Sequence, residues 1–420
     1  MQKFSVTMER VVLILLLLLP LCCGHSEYQG KVMTYYSLET YSDGAVLMEF
    51  HYRSNSKTCV SHRHWCPDDG CLTISFTTTP IDYSPEGFCQ VDSIWTRNSS
   101  SEAPFKMVLY SDTLWSSPIA NGVVTAGASI LVELRKRSDT GQANRCPQTT
   151  ILPVFRVPYN CPRDIQLLSF DPDGDLVQCR FANDEIDPTE CANCTLPSVL
   201  SLSSPCTLSF SASSSSSSQG RYAVQLAMED FPRTQITLSQ TNGQQEVKDT
   251  TTGISKIPVQ FLFAVESAAP SCTSGLFLPT FVTPTPAHGT QINLPVKKTM
   301  NLYIAAQASE ATVTELVFSG PSNMTEIGSG GQYILSWTPT DTELGQSHPV
   351  CFSAQAALNA SKYSSELRCV VVNVGNEALK SALVKKIRME LVKRGMIDTV
   401  TASLKHLNST LKVQEPSFCN

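Results

Sequence analysis

The sequence predicts an all-β protein: tandem β-sandwich-like domains closed by one C-terminal amphipathic helix. Three observations carry this. First, short runs of Val, Thr, Tyr, Phe and Leu alternate with polar residues at period two, between Gly-, Pro- and Asx-bearing turns. Second, within the region beyond the N-terminal leader, 377–394 alone takes a helical period, with Leu379, Leu383, Ile387 and Leu391 recurring every four residues. Asn376 can cap that helix and Gly395 can end it. Third, 420 residues at 42% hydrophobic and 16% charged suffice for several cored domains and are too apolar for a disordered chain.

The elements follow in order. Lys3 and Arg10 precede a short apolar run from Val11 to Leu19, and Pro20 and Cys22-Cys23-Gly24 follow. This is the pattern of a signal peptide, 1–24, cleaved after Gly24. The run is too short for a transmembrane helix, which needs about 20 residues. Residues 25–159 read as a disulfide-rich β domain, with strands at 31–36, 45–52 and 72–76 and a Ser42-Asp43-Gly44 turn. Trp65, Trp95 and Trp115 are its packing aromatics. Pro153, Pro158 and Pro162 place a boundary near Asn160. Residues 160–268 read as a sandwich with strands at 166–170, 176–181, 206–210, 222–228 and 259–265; the serine run at 213–218 is a flexible or O-glycosylated loop. Ala268-Ala269-Pro270 opens a second sandwich, 269–375, with strands at 301–305, 312–318, 333–337, 348–354 and 369–374. Residues 376–420 supply the helix and a strand at 398–404.

The formal net charge of −6 with no long basic block argues against a nucleic-acid partner. Loss of the leader removes Cys22 and Cys23 and leaves an even set: Cys59, Cys66, Cys71, Cys89, Cys146, Cys161, Cys179, Cys191, Cys194, Cys206, Cys272, Cys351, Cys369 and Cys419. An even count behind a leader predicts full oxidation to disulfides. Cys351 and Cys369 end facing strands and are expected to pair, which leaves Cys272 for Cys419. Spacing leaves open how Cys59, Cys66, Cys71 and Cys89 connect. Cys59, His62, His64, Cys66 and Cys71 resemble a zinc set only in residue type, because secreted cysteines oxidise. Cys191-x-x-Cys194, between acidic residues and Pro197, is read as two ends of separate bridges rather than a redox pair. Asn98, Asn193, Asn323, Asn359 and Asn408 open N-glycosylation sequons.

The sharpest constellation is Asp171-Pro172-Asp173-Gly174-Asp175. Carboxylates at i, i+2 and i+4 can converge on a hard cation such as Ca²⁺, with Asp230 or Glu229 adding oxygens. Asp184, Glu185, Asp187 and Glu190 stand in the same unit. The competing reading is a plain Asp-Gly turn, with the carboxylates in solvent or capping backbone N–H groups. Pro172 and Gly174 break strand alternation and favour the turn, so calcium is the one cofactor considered. Arg135-Lys136-Arg137 has the form of a basic processing site but follows a strand-like run. The basic, amphipathic 377–394 helix is read as docked on its neighbour by its apolar stripe.

Several segments resemble a poorly characterised family of secreted multidomain proteins found mainly in fish. They are residues 137–141, 152–162, 171–180, 220–224 with 229–231, 337–339 with 350–352, and 368–370. The Asp-rich segment and strand pattern are also loosely similar to cadherin-like and immunoglobulin-like modules, though the cadherin Asp-Arg-Glu and Asp-x-Asn-Asp motifs are missing. The resemblance implies compartment and architecture and brings no activity. His-Glu-x-x-His, Gly-x-Ser-x-Gly and P-loop motifs are absent, and seven His are scattered, so no enzyme is expected. The expectation is a secreted glycoprotein that binds or adheres to an extracellular protein or glycan. A structural component of an extracellular coat or mucus is the alternative, and a secreted enzyme stands third.

Overall fold

A computed structural model of the chain describes residues 28–57, 77–84, 88–109, 114–116, 118–212, 216–359 and 361–375. The architecture is all-β. Among the described residues, helix is confined to two 3-10 turns, Ser216–Ser218 and Asp341–Glu343. No helix among them is long and apolar enough to cross a membrane. The expected leader, the 377–394 helix and its following strand, Cys59, Cys66, Cys71, Cys419 and Asn408 lie outside the described residues.

The largest sheet has ten strands and is organised around Lys256–Glu266. That strand is apolar nearly throughout and buried along all but its last residue, as a strand covered on both faces should be. Gly220–Phe231 pairs antiparallel on one side, followed by Leu176–Phe181. On the other side lie Tyr28–Thr40, Ala128–Val132 and, in parallel, Val154–Pro158. Val46–Ser56, Phe88–Ser99 and Thr77–Ser84 extend the sheet outward from Tyr28–Thr40. At Gly30 the φ is +141°, and a Cβ would lie 2.2 Å from the Gln260 carbonyl oxygen, so only glycine lets the two strands approach there.

This sheet corrects the expected break near Asn160. Residues assigned to 25–159 and to 160–268 form one hydrogen-bonded layer. The prolines that suggested a boundary do not end the sheet, because proline lacks a donor but keeps its acceptor. The Pro153 carbonyl accepts from the Leu262 N–H at 3.2 Å, and Pro158 is in register with Glu266. A three-stranded sheet, Leu200–Ser203, Thr207–Phe210 and Arg163–Gln166, packs over this layer, with the Phe210 and Phe263 rings 5.6 Å apart. Met33, Phe50, Ile130 and Phe261 are fully buried in the shared core.

Residues 280–375 form two further sheets. One orders Thr280–Val282, Met300–Gln307, Gln332–Trp337 and Thr325–Ser329; the other orders Thr290–Pro295, Arg368–Gly375, Ser347–Leu358 and Thr312–Ser319, with Ser361–Ser364 on its third strand. They face each other across Leu302, Ile304, Leu335, Phe352, Val370 and Val372, which makes a β-sandwich. The two cores meet at the junction: Val317, Leu367, Val371 and the Cys351–Cys369 bridge pack with the first unit.

Four disulfides are fully described: Cys161–Cys272, Cys179–Cys206, Cys191–Cys194 and Cys351–Cys369; Cys89 is also bonded. Three expectations are corrected. Cys272 pairs with Cys161 and not with Cys419, because Val154–Pro158 and Lys256–Glu266 run parallel and leave the sheet at one end. Cys191 and Cys194 bond to each other, since Cys179 and Cys206 are already joined. Cys146 is a free, buried thiol, held between the Tyr35 backbone and the Gln148 side-chain amide.

Candidate functional site

The turn after Phe170 is built by its own side chains. Gly174 takes φ +85° and its N–H donates to the Asp171 carbonyl. Asp171 Oδ1 accepts from the N–H groups of Asp173 (2.8 Å) and Asp175 (3.2 Å), the Asx closure expected of an Asp-Gly turn. The three expected carboxylates then part company. Asp173 is claimed by Arg145, through its N–H at 2.8 Å, Nε at 2.9 Å and Nη2 at 2.7 Å. Asp175 receives both Nη groups of Arg137. That guanidinium also donates to Asp139 and to Asn144 Oδ1. Burial opposes its charge, but the bonds to Asp139 and Asp175 outweigh this and hold it protonated.

The convergent set is Asp171, Asp175 and Asp230, each offering one oxygen within 4.8 Å of the others. Asp173 is therefore not one of the three converging carboxylates: Arg145 holds it, and its Oδ2 lies 3.8 Å from Arg137 Nη1. Asp230 enters because Gly220–Phe231 pairs with Leu176–Phe181, setting it opposite Val177, two residues past Asp175. Its oxygens accept from Ser255 N–H (2.6 Å), Ser255 Oγ (2.8 Å) and Asn144 Nδ2 (3.0 Å). Asp171 and Asp230 are respectively 6% and 0% exposed. Burial, then the neighbouring Asp230, Asp175 and Asp173 charges, pushes Asp171 up to about 8. Burial likewise pushes Asp230 up to about 7, against the bonds from Asn144 and Ser255. Of the remaining acids, Glu229 and Glu190 pair with Arg180 and Asp187 and Glu190 with Lys256, while Asp184 and Glu185 are exposed.

The 170–174 turn and Arg145 form one wall of a cleft of about 490 Å³ at the junction of the two units. The other wall is Gln291, Asn293, Gln346, Ser347 and Asn373. Asn373 Nδ2 donates to Gln291 Oε1 at 3.1 Å, and Ser347 Oγ to Asn373 Oδ1 at 2.8 Å. Gln346 donates across the junction to Glu49 Oε1 at 2.9 Å, while its own buried Oε1 has no partner. The lining is mostly polar: the Gln and Asn amides and the Ser347 hydroxyl on one wall, and Arg145 with the Asp171 and Asp173 carboxylates on the other.

Asn98, Asn193, Asn323 and Asn359 are all exposed. Asn193 Oδ1 accepts from Thr195 N–H and Oγ, so that sequon is closed into an exposed turn. Arg135 and Arg137 are buried in ion pairs, which removes the 135–137 segment from a protease's reach. Arg137, Arg145 and Asn144 are the site residues that sequence reasoning missed. The signal available was an acid excess that some distant cation had to offset, which names no particular arginine.

No protein-family model matches the chain, and no curated protein matches it. Among solved structures, an endo-fucoidan hydrolase of glycoside hydrolase family 107 aligns over 78% of this chain at 13% identity, TM-score 0.19, and the chain covers 42% of that hydrolase. Drosophila N-cadherin EC1-4 aligns over 75% of this chain and 70% of its own at 11% identity, TM-score 0.21. The four N-terminal Ig domains of Dscam1 align over 83% and 78% at 10% identity, TM-score 0.19.

Proposed function

We propose that the protein is a secreted, non-catalytic binding protein and that the junction cleft is its ligand site. One observation carries the reading: a cleft of about 490 Å³, walled by both units, with four side-chain amides and the Ser347 hydroxyl on one side and Arg145 and two carboxylates on the other. That volume falls within the roughly 300–1,000 Å³ of ligand pockets. The disulfides and the exposed sequons fit an oxidising, extracellular setting. Among the described imidazoles, His51 pairs with Glu49, and His288 Nδ1 and His348 Nε2 are buried without a partner, an arrangement that fits a binding role. An extracellular glycan or a polar protein loop matches such a lining.

A structural coat component is the second reading. It is favoured by Thr325–Ser329, an edge strand exposed along its whole length with Ile327 on it. Exposed edges template self-association. Arrays of glycans and extracellular proteins, probed with the secreted chain, separate the two. Saturable binding that is lost in Gln291→Ala/Asn373→Ala supports the cleft. Concentration-dependent self-association without array binding supports the coat and removes the cleft reading.

A further inference from the structure

We propose that Asp171, Asp175 and Asp230 form a binding site for one divalent cation of the calcium class, whatever the cleft binds. Geometry comes first. Calcium takes oxygen ligands at about 2.3–2.6 Å, so two oxygens on one ion lie at most about 5 Å apart. The three carboxylates meet that limit, at 4.8 Å or less, with no movement of the backbone.

Charge is the second argument. Arg137 is committed to Asp139 and Asp175, and Arg145 to Asp173. Asp171 and Asp230 are buried with no cationic side chain on either. Two buried, uncompensated carboxylates are costly, and one divalent ion offsets both. Each Asp175 oxygen keeps a lone pair beyond the one Arg137 uses, so Asp175 can ligate without releasing the arginine.

The third, independent observation is an orphan atom. Asp171 is 6% exposed, its Oδ1 is spent on the turn, and its Oδ2 is buried with no hydrogen-bond partner. A buried carboxylate oxygen without a donor calls for a cation or a proton. The all-oxygen set selects a hard cation over zinc or copper. A path in exists, because Asp171 belongs to the turn that lines the cleft. Bound there, the ion would tie that turn to Gly220–Phe231 in the central layer.

The test uses the full secreted chain, stripped with chelator and titrated with calcium chloride alone, read by calorimetry and by thermal unfolding. The expected result is one saturable site per chain and a rise in Tm that chelator reverses. Asp171→Asn is the decisive variant. Asn keeps the Oδ1 that closes the turn and replaces the ligating carboxylate by a neutral amide, so the variant should fold without metal about as well as the native chain while losing calcium affinity by about tenfold or more. Asp230→Asn should lose binding as well, and Asp173→Asn should keep it, since Asp173 serves Arg145. The proposal is overturned if the native chain shows no heat and no Tm shift up to about 10 mM calcium, above the range of extracellular calcium modules. Full calcium response in Asp171→Asn also overturns it. Stabilisation by Asp171→Asn with no calcium response in the native chain would mean that protons, not a cation, neutralise the cluster.

Discussion

Lys31 shows at a single residue how position overrides pattern. Period two in the first strand would put it in water. Instead Tyr28–Thr40 lies inside the sheet, and its first nine residues are all buried. Lys31 Nζ finds the Ala126 carbonyl at 3.3 Å and the face of Tyr28, with no carboxylate bonded to it. Burial pulls its pKa from 10.5 down to about 7. A base whose folded pKa is depressed costs stability in full below the folded value, and the cost fades as pH climbs to the unfolded value. Lys31→Met should therefore raise Tm at pH 7, with the gain shrinking toward pH 10; a gain that does not vary with pH refutes this account. His348 follows the same rule in acid. Burial first, then His51 and Arg53, holds its pKa well below 6.5, so stability should fall as pH drops through 6.5. His348→Gln should flatten that acid limb in thermal melts from pH 7 to pH 5.

At the scale of elements, the strands were largely legible and their partners were not. The runs at 222–228, 259–265 and 369–374 sit within Gly220–Phe231, Lys256–Glu266 and Arg368–Gly375, because β-branched and aromatic residues report local extended backbone. Thr325–Ser329 and Gln245–Lys248 lack that signature, being short and mostly polar edge strands held by their neighbours. The bridges illustrate the difference energetically. Cys161–Cys272 closes a separation of 111 residues, Cys191–Cys194 one of 3. On the chain-entropy account, Cys161→Ala/Cys272→Ala should cost about 4–5 kcal/mol and Cys191→Ala/Cys194→Ala roughly 2 kcal/mol. Denaturant midpoints of the two double variants check this; equal losses would mean native-state contacts, not loop closure, dominate. In the candidate site the turn was legible from Asp-Gly chemistry and Asp230 was expected to add oxygens, whereas the loss of Asp173 to Arg145 was not legible.

At the scale of the whole molecule, the two units share hydrogen bonds and core residues across their junction. The Tyr36 hydroxyl donates to the Ser347 carbonyl at 2.8 Å, and Arg163 Nη2 to the Ser364 carbonyl at 3.0 Å, both across the junction. Val317, Leu367 and Val371 complete the first unit's core. Calorimetry of the full chain should thus show a single transition for the β units, and a chain ending at residue 268 should melt earlier, with its junction face exposed to water. Two well-separated transitions in the full chain would contradict a shared core.

The sequence by itself determined the all-β class, the extended segments and the Asp-Gly turn. Each depends on torsional preference and side-chain alternation within a few residues. Only the tertiary structure decided that the sheet runs through Asn160, that Lys31 and Arg137 are buried, that Cys272 meets Cys161, and that Asp230 joins Asp171 and Asp175. Those outcomes depend on which strands close against each other across tens to hundreds of residues. Closing such loops is governed by the sum of burial and pairing over the whole sheet, a quantity that no local pattern encodes.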